Sequence, residues 1–256
     1  MATIKSIKEA LANEVEWQQW MEELKNDERD GVKKALSIWV RQQEKKQQIL
    51  DEHLAKEAFD RSYRAFPEAL IAGTDEAGRG PLAGPVVTAA VILPAYCPGL
   101  VGLNDSKQLS FEKREYYLKK IYEYAISTAI HFQDEAAIDR FNIYEATRLS
   151  MKSSIEQLEQ KPDFVLADAM TLDIDIPQDS IIKGDAKSLA IAAASILAKT
   201  ARDHYMDDMD RTYPGYGFAQ HAGYGTKQHL EALRTLGITP IHRKTFEPIK
   251  SMLIEE

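Results

Sequence analysis

The chain has 256 residues, 44% of them hydrophobic and 28% charged, with a formal net charge of −8. That is a globular composition, long enough for one ordinary domain with an appendage or for two small ones, and it excludes disordered and fibrous classes. The single cysteine, Cys97, excludes an internal disulfide or a cysteine-held zinc cluster, and no apolar run of about 18 residues is present to span a membrane.

The first residues, MATIKSIKEALANEVEW, lack the apolar stretch of a secretory signal, so a reducing cytoplasm is the expected compartment. Residues 1–66 contain no proline and one glycine, Gly31. Leu36, Trp39, Val40, Ile49, Leu54 and Phe59 recur at roughly helical spacing among Gln, Lys and Glu. Two or three helices are predicted, the last from about Gly31 to Phe66, where Pro67 stops it. This reads as an N-terminal helical extension, with the main domain occupying 67–256.

From Leu70 the pattern changes. LIAGTDE and PVVTAAVIL read as two strands joined across a glycine-rich turn. Residues 110–125 read as a helix capped by Ser110, ISTAIHFQ (126–133) as a third strand, 134–160 as a helical stretch and DFVLAD (163–168) as a buried fourth strand. SIIKGD (180–185) reads as a fifth strand, and residues 186–210 as a helix whose small residues allow close approach to a sheet. A Tyr- and Gly-rich loop (213–226), a helix (227–236) and a tail containing HRKTF complete the chain. Consecutive strands followed by strand–helix alternation predict an α/β domain on a mixed sheet, antiparallel at first and parallel later.

On this reading Asp75 and Glu76 end the first strand, Asp168 the fourth and Asp185 the fifth. Ligands of open α/β sheets gather at the carboxyl ends of strands, so four carboxylates are expected in one cleft. Such acids repel one another unless a cation neutralises them, and this neutralisation lessens the weight of the acidic net charge against a nucleic-acid partner. Hard oxygen donors without His or Cys select Mg²⁺ or Mn²⁺. Two such ions about 3.5–4 Å apart stabilise the attacking and leaving oxygens of a phosphoryl displacement. A lone Asp at a strand end is more often a turn residue or a helix cap, and Asp185, just ahead of a helix, has that alternative open.

GRGPLAG (78–84) is not a P-loop, since no Gly-Lys-Ser/Thr follows, and not a dinucleotide fingerprint, since a strand comes next. It allows backbone to approach a ligand closely and places Arg79 where a phosphate can be met. A plain tight hairpin is the alternative.

The motifs TDEAGRGPLAGPVV (74–87), DSKQLS (105–110), FVLADA (164–169), KGDAKS (183–188), AAASILAK (192–199) and GYGTKQH (223–229) together resemble prokaryotic type 2 ribonuclease H, ribonuclease HII. They occur in the family's order from about Leu70 onwards. Small departures, such as AKTARD at 198–203 and Thr245 in HRKTF, touch none of the four acids. The helical N-terminus lies outside the motifs.

The resemblance implies a ribonuclease H-like fold and a metal-dependent endoribonuclease, with Asp75, Glu76, Asp168 and Asp185 holding two Mg²⁺ or Mn²⁺ ions. It implies hydrolysis on the 5′ side of ribonucleotides, in RNA/DNA hybrids and singly embedded in duplex DNA. The products would carry 3′-hydroxyl and 5′-phosphate ends, and the roles would be ribonucleotide excision repair and RNA primer removal. Gly78, Arg79, Gly80 and Tyr224 would read the 2′-hydroxyl, with a tyrosine hydroxyl as hydrogen-bond partner and its ring against the neighbouring sugar. Lys107, Lys183, Lys187, Lys227, Arg243 and Lys244 are candidate phosphate contacts, or solvated surface charges. The enzyme is expected to be monomeric, with the N-terminal helices open to a replication or repair protein partner. A type 3 ribonuclease H shares fold and acids but lacks the Gly-Arg-Gly turn and carries an α/β platform at its N-terminus. A non-enzymatic binding protein using the acids as caps is the remaining alternative.

Overall fold

The computed structural model describes residues 2–254. The chain divides into two compact units, Met1–Leu54 and Ala55–Glu256, a division upstream of the boundary expected at residue 66.

In the first unit, helix α1 (Ile4–Asn13) is capped by Thr3, whose hydroxyl accepts from Ser6 N. Helix α2 is Met21–Lys25, and helix α3 is Asp30–Ser62, running through the division between units. Ile7, Leu11, Met21, Leu24, Val32 and Trp39 form the core of this unit. The last helix stops before the expected Phe66. The chain tightens into i→i−3 bonds from Tyr63 N to Asp60 O and from Arg64 N to Arg61 O, the tighter winding common at helix ends, so Pro67 is not the terminator.

In the second unit, strands β1 (Ile71–Ala77), β2 (Val86–Ile92), β3 (Ser127–Gln133), β4 (Phe164–Asp168) and β5 (Gln178–Ile181) form one sheet in the order β3-β2-β1-β4-β5. β1 pairs antiparallel with β2 and parallel with β4, and β5 is parallel to β4, which is the mixed sheet predicted. The central strand is therefore the one that carries Asp75 and Glu76. Helix α4 (Phe111–Tyr124) begins at the predicted Ser110 cap, which accepts from Lys113 N. The predicted helical stretch at 134–160 is two helices, α5 (Glu135–Phe141) and α6 (Ile143–Glu156). Asn142 separates them at φ 68° and caps the second through Glu145 N, a positive φ that Asn adopts more readily than most residues.

The short helix α7 (Gly184–Lys187) precedes helix α8 (Leu189–Thr212), capped by Ser188. The short helix α9 (Phe218–His221), helix α10 (Lys227–Leu236) and the short α11 (Ile249–Met252) follow. α8 packs on β1 and β2 through Ala192, Ala193, Ile196 and Leu197. Contact is closest at Gly73, where a Cβ would lie 2.3 Å from the Ala190 and Ile191 backbone. No helix among the described residues is long and apolar enough to cross a membrane.

Candidate active site

β1 and β4 run side by side in the same direction, so their carboxyl ends deliver acids to one edge of the sheet. Asp75, Glu76 and Asp168 each offer an oxygen, and these three atoms lie within 4.8 Å of one another. Asp75 is buried, one of its oxygens taken by Glu76 N at 2.7 Å. Ser195 of α8 lies close enough to draw Asp75 back down and is itself joined to Ser106 at 2.9 Å. Asp168 accepts Gly184 N at 2.7 Å. Glu76 keeps one buried oxygen, Oε2, without a hydrogen-bond partner, while Oε1 is 3.5 Å from the Arg79 guanidinium.

Burial, followed by repulsion from Glu76 and Asp168, pushes Asp75 well above the usual carboxylate range. Burial also raises Glu76, against the pull of Arg79, and raises Asp168, against its bond from Gly184 N. Lys107, exposed on the 3-10 turn Ser106–Gln108, draws both back down. Crowded acids that resist ionising, with an orphaned buried oxygen among them, suit a hard divalent cation, whose charge removes the repulsion and whose coordination uses the free oxygen.

Asp185 differs from its expected setting. The fifth strand ends at Ile181, Lys183 turns left-handed at φ 56°, and Asp168 captures Gly184 N. Asp185 therefore lies in the first turn of α7 rather than at a strand end, half-buried and close enough to raise Asp168 by its charge. The cap of the long helix α8 is Ser188, accepting from Ile191 N at 3.1 Å, so Asp185 does not fill the capping role open to it in the sequence.

The glycine turn is held from beneath by two buried arginines. Arg243 donates to the carbonyls of Gly84 at 3.0 Å, Arg79 at 2.9 Å and Gly78 at 2.5 Å. Arg202 donates to Pro85 O, Ala222 O and Ala83 O at 2.9–3.0 Å. Burial lowers both guanidiniums, Arg202 to about 10 and Arg243 to about 9. A trans peptide sets each N–H opposite the preceding carbonyl. With the Gly78 and Arg79 carbonyls turned to Arg243, the Arg79 and Gly80 N–H groups point the other way and present donors. Gly78 sits at φ +93°, and a Cβ there would meet Arg202 Nε at 2.0 Å, so only glycine fits. At Gly80 a Cβ would stand 3.4 Å from the Tyr224 ring; Tyr224 is 49% exposed beside this turn.

Arg243, a candidate phosphate contact in the sequence, is fully buried and spends its donors on backbone. Lys107, Lys183, Lys187, Lys227 and Lys244 are exposed. Sequence reasoning missed Arg202 and Ser195. For Ser195 the signal was a polar residue inside the small and apolar run Leu189–Ala198, a pattern that marks a buried hydrogen-bonding role; Arg202, among Lys199, Thr200, Asp203 and His204, has no such signal.

A family model described as Ribonuclease HII matches residues 72–249, and one described as Ribonuclease HII N-terminal domain matches residues 3–64. Ribonuclease HII of Enterococcus faecalis is 50% identical over 261 residues, covering 98% of this chain and 98% of the relative. Ribonuclease HII of Ligilactobacillus salivarius is 50% identical over 253 residues, covering 99% and 98%. The crystal structure of ribonuclease H2 from Pyrococcus horikoshii is similar with a TM-score of 0.64 and 26% identity, covering 73% of this chain and 98% of that one.

Proposed function

Since the chain belongs to the ribonuclease HII family, and so is a metal-dependent endoribonuclease with ribonuclease H activity, we propose that its substrates are RNA/DNA hybrids and duplex DNA containing single ribonucleotides. Cleavage falls on the 5′ side of the ribonucleotide and leaves 3′-hydroxyl and 5′-phosphate ends, which suits ribonucleotide excision repair and RNA primer removal. The observation that carries this reading is the adjacency, on β1 and the turn after it, of a carboxylate cluster and a glycine turn whose Gly78 and Arg79 carbonyls are bound by Arg243.

Asp75, Glu76, Asp168 and Asp185 are the residues to hold two divalent cations, Mg²⁺ or Mn²⁺. When bound, such cations supply the positive charge against which the attacking and leaving oxygens of a phosphodiester develop theirs. The protein does the rest by position. Asp75 is held by Glu76 N, and Asp168 by Gly184 N, which orients both carboxylates towards the shared cluster. The Arg79 and Gly80 N–H groups and the Tyr224 hydroxyl bind the 2′-hydroxyl and its sugar, which sets the register of cleavage. Lys107 and Lys183 meet flanking phosphates.

Residues 67–256 carry the chemistry as a monomer. Residues 1–66 are an extension that adds contacts to substrate or to a replication or repair protein.

Asp185→Asn tests the metal set. Asn keeps size and a hydrogen-bond acceptor but not the charge. Cleavage of a duplex containing one ribonucleotide, at saturating Mg²⁺, should be lost while the circular dichroism spectrum stays unchanged. Wild-type turnover would remove Asp185 from the site.

A further inference from the structure

Tyr224 reaches the site on a loop whose backbone rests on two buried histidines. His229 is fully buried and His242 is 1% exposed, and their Nε2 atoms lie 3.0 Å apart. Two ring nitrogens at that distance share one proton: one donates and the other accepts. The remaining nitrogen of each ring decides which. Nδ1 of His242 receives Thr239 N–H at 2.8 Å, and the Thr239 hydroxyl lies equally close. His242 therefore carries its proton on Nε2 and donates to His229. His229, accepting at Nε2, carries its proton on Nδ1 and donates to the Tyr224 carbonyl at 2.9 Å. The chain of bonds runs one way, from Thr239 through His242 and His229 to Tyr224.

Neighbouring contacts reinforce it. The same carbonyl accepts Thr226 N at 2.8 Å. His221 stacks on His229 with ring centroids 4.8 Å apart, its Nδ1 accepting Gly223 N and its Nε2 donating to Tyr216 O. Burial lowers both relay imidazoles, His242 to about 4, so both are neutral at physiological pH. A second proton on either ring would set N–H against N–H.

We infer that His229 and His242 are positioning residues for ribonucleotide recognition, their proton-ordered relay holding the Tyr224 backbone so that its phenol stays over Gly80. The inference rests on the reading of Tyr224 as the partner of the 2′-hydroxyl. It accounts for two buried polar rings where apolar side chains would pack without a proton to place.

Kinetics and tautomer measurement together test it. His229→Leu removes the donor, whereas His229→Asn sets an amide N–H where Nδ1 stood. On a duplex with one ribonucleotide, kcat/KM of His229→Leu should fall roughly two- to tenfold, the range of one hydrogen bond. A continuous RNA/DNA hybrid should suffer less, and His229→Asn should recover most of the loss. In a Tyr224→Phe background, itself reduced by a similar factor, His229→Leu should add little. Equal losses in both backgrounds overturn the relay, as does failure of Asn to rescue a folded variant. Wild-type rates for Tyr224→Phe overturn the sensing reading instead, while a slow Tyr224→Phe with a wild-type His229→Leu overturns the relay alone. Should His229→Leu not fold, nitrogen-15 shifts of the wild-type histidines decide. His242 is expected as the Nε2–H form and His229 as the Nδ1–H form, and the reverse order, or a charged ring at pH 7, overturns the relay.

Discussion

At the scale of single residues, the site is assembled from groups whose ordinary preferences are overridden. Asp75, Glu76 and Asp168 are held where ionisation costs free energy, so the empty acid cluster destabilises the fold and a cation should stabilise it. At roughly a hundredfold excess over its Kd, one bound ion is worth about 2.7 kcal/mol, or roughly 5–10 °C for a chain of this size. Thermal melts with and without Mg²⁺ after chelator treatment should show that rise. Asp75→Asn should melt above the cation-free wild type, respond little to Mg²⁺ and lose cleavage; a variant no more stable than cation-free wild type would mean the carboxylates are not in conflict. Arg243 is the complementary case, a buried cation whose hydrogen bonds all go to backbone carbonyls and whose guanidinium also lies over the Phe246 ring. Arg243→Lys keeps the charge but not the fork that reaches Gly78, Arg79 and Gly84. A lysine head reaches one of these carbonyls, and leaving the other two unpaired costs about 1–3 kcal/mol each, so Tm should drop by roughly 4–24 °C, with cleavage of single ribonucleotides falling as the turn loosens. An unchanged Tm would contradict the cradle role and return Arg243 to the surface role read from its sequence.

At the scale of elements, the pairing of β1 with α8 decides how close the acids come to the rest of the domain. Asp75 lies on one and Ser195 on the other, and Gly73 is where the two backbones touch. Gly73→Ala would drive a methyl to 2.3 Å from the Ala190 carbonyl carbon and the Ile191 nitrogen, neither of which can rotate away as a side chain does. Overpacking of this kind costs about 1–3 kcal/mol or more, and a backbone clash belongs at the upper end. The expected result is a Tm lower by roughly 6–12 °C and weaker cleavage, because displacement of α8 takes Ser195 away from Asp75. A Gly73→Ala variant with wild-type Tm and activity would show that the helix has room to move. The Ala-rich face of α8 was readable as a close-packing face; that Gly73 is its partner was not, since nothing in a single glycine says which backbone will pass over it.

At the scale of the whole chain, the question is which N-terminal residues the larger unit needs. Asp60 accepts Ala190 N at the start of α8 at 2.9 Å and is pushed up to about 6 by its burial there. Lys56 donates to Leu103 O and Tyr63 to Asp179. A chain beginning at Ala55 keeps these contacts and should retain cleavage chemistry, since no candidate ligand lies upstream. A chain beginning at 67 loses all three and should be less stable by several kcal/mol, judging from about 1 kcal/mol per hydrogen bond and more for the orphaned groups. Refolding yield, melting temperature and single-turnover cleavage of the two truncations separate these outcomes. Equal stability would place the functional boundary at 66, and loss of activity in a folded 55–256 chain would show that the extension completes the site.

The sequence alone determined the order and kind of most elements, the mixed sheet and three of the acids at strand ends. Those features follow from local periodicity, capping residues and strand polarity, which a chain carries wherever it is placed. The fourth acid, Asp185, was read at a strand end as well, and resemblance of the motifs supplied the expected substrate class. Tertiary structure decided what depends on neighbours distant in the chain. Asp185 sits in a helical turn because Asp168 captures the backbone before it. Arg243 is interior because five carbonyls of the glycine turn and its flank, those of Gly78, Arg79, Ala83, Gly84 and Pro85, converge on it and on Arg202, and neither burial nor convergence has a signature in a run such as HRKTF. The histidine relay likewise exists only because α10 and the tail cross, bringing His229 and His242 to within a shared proton of each other.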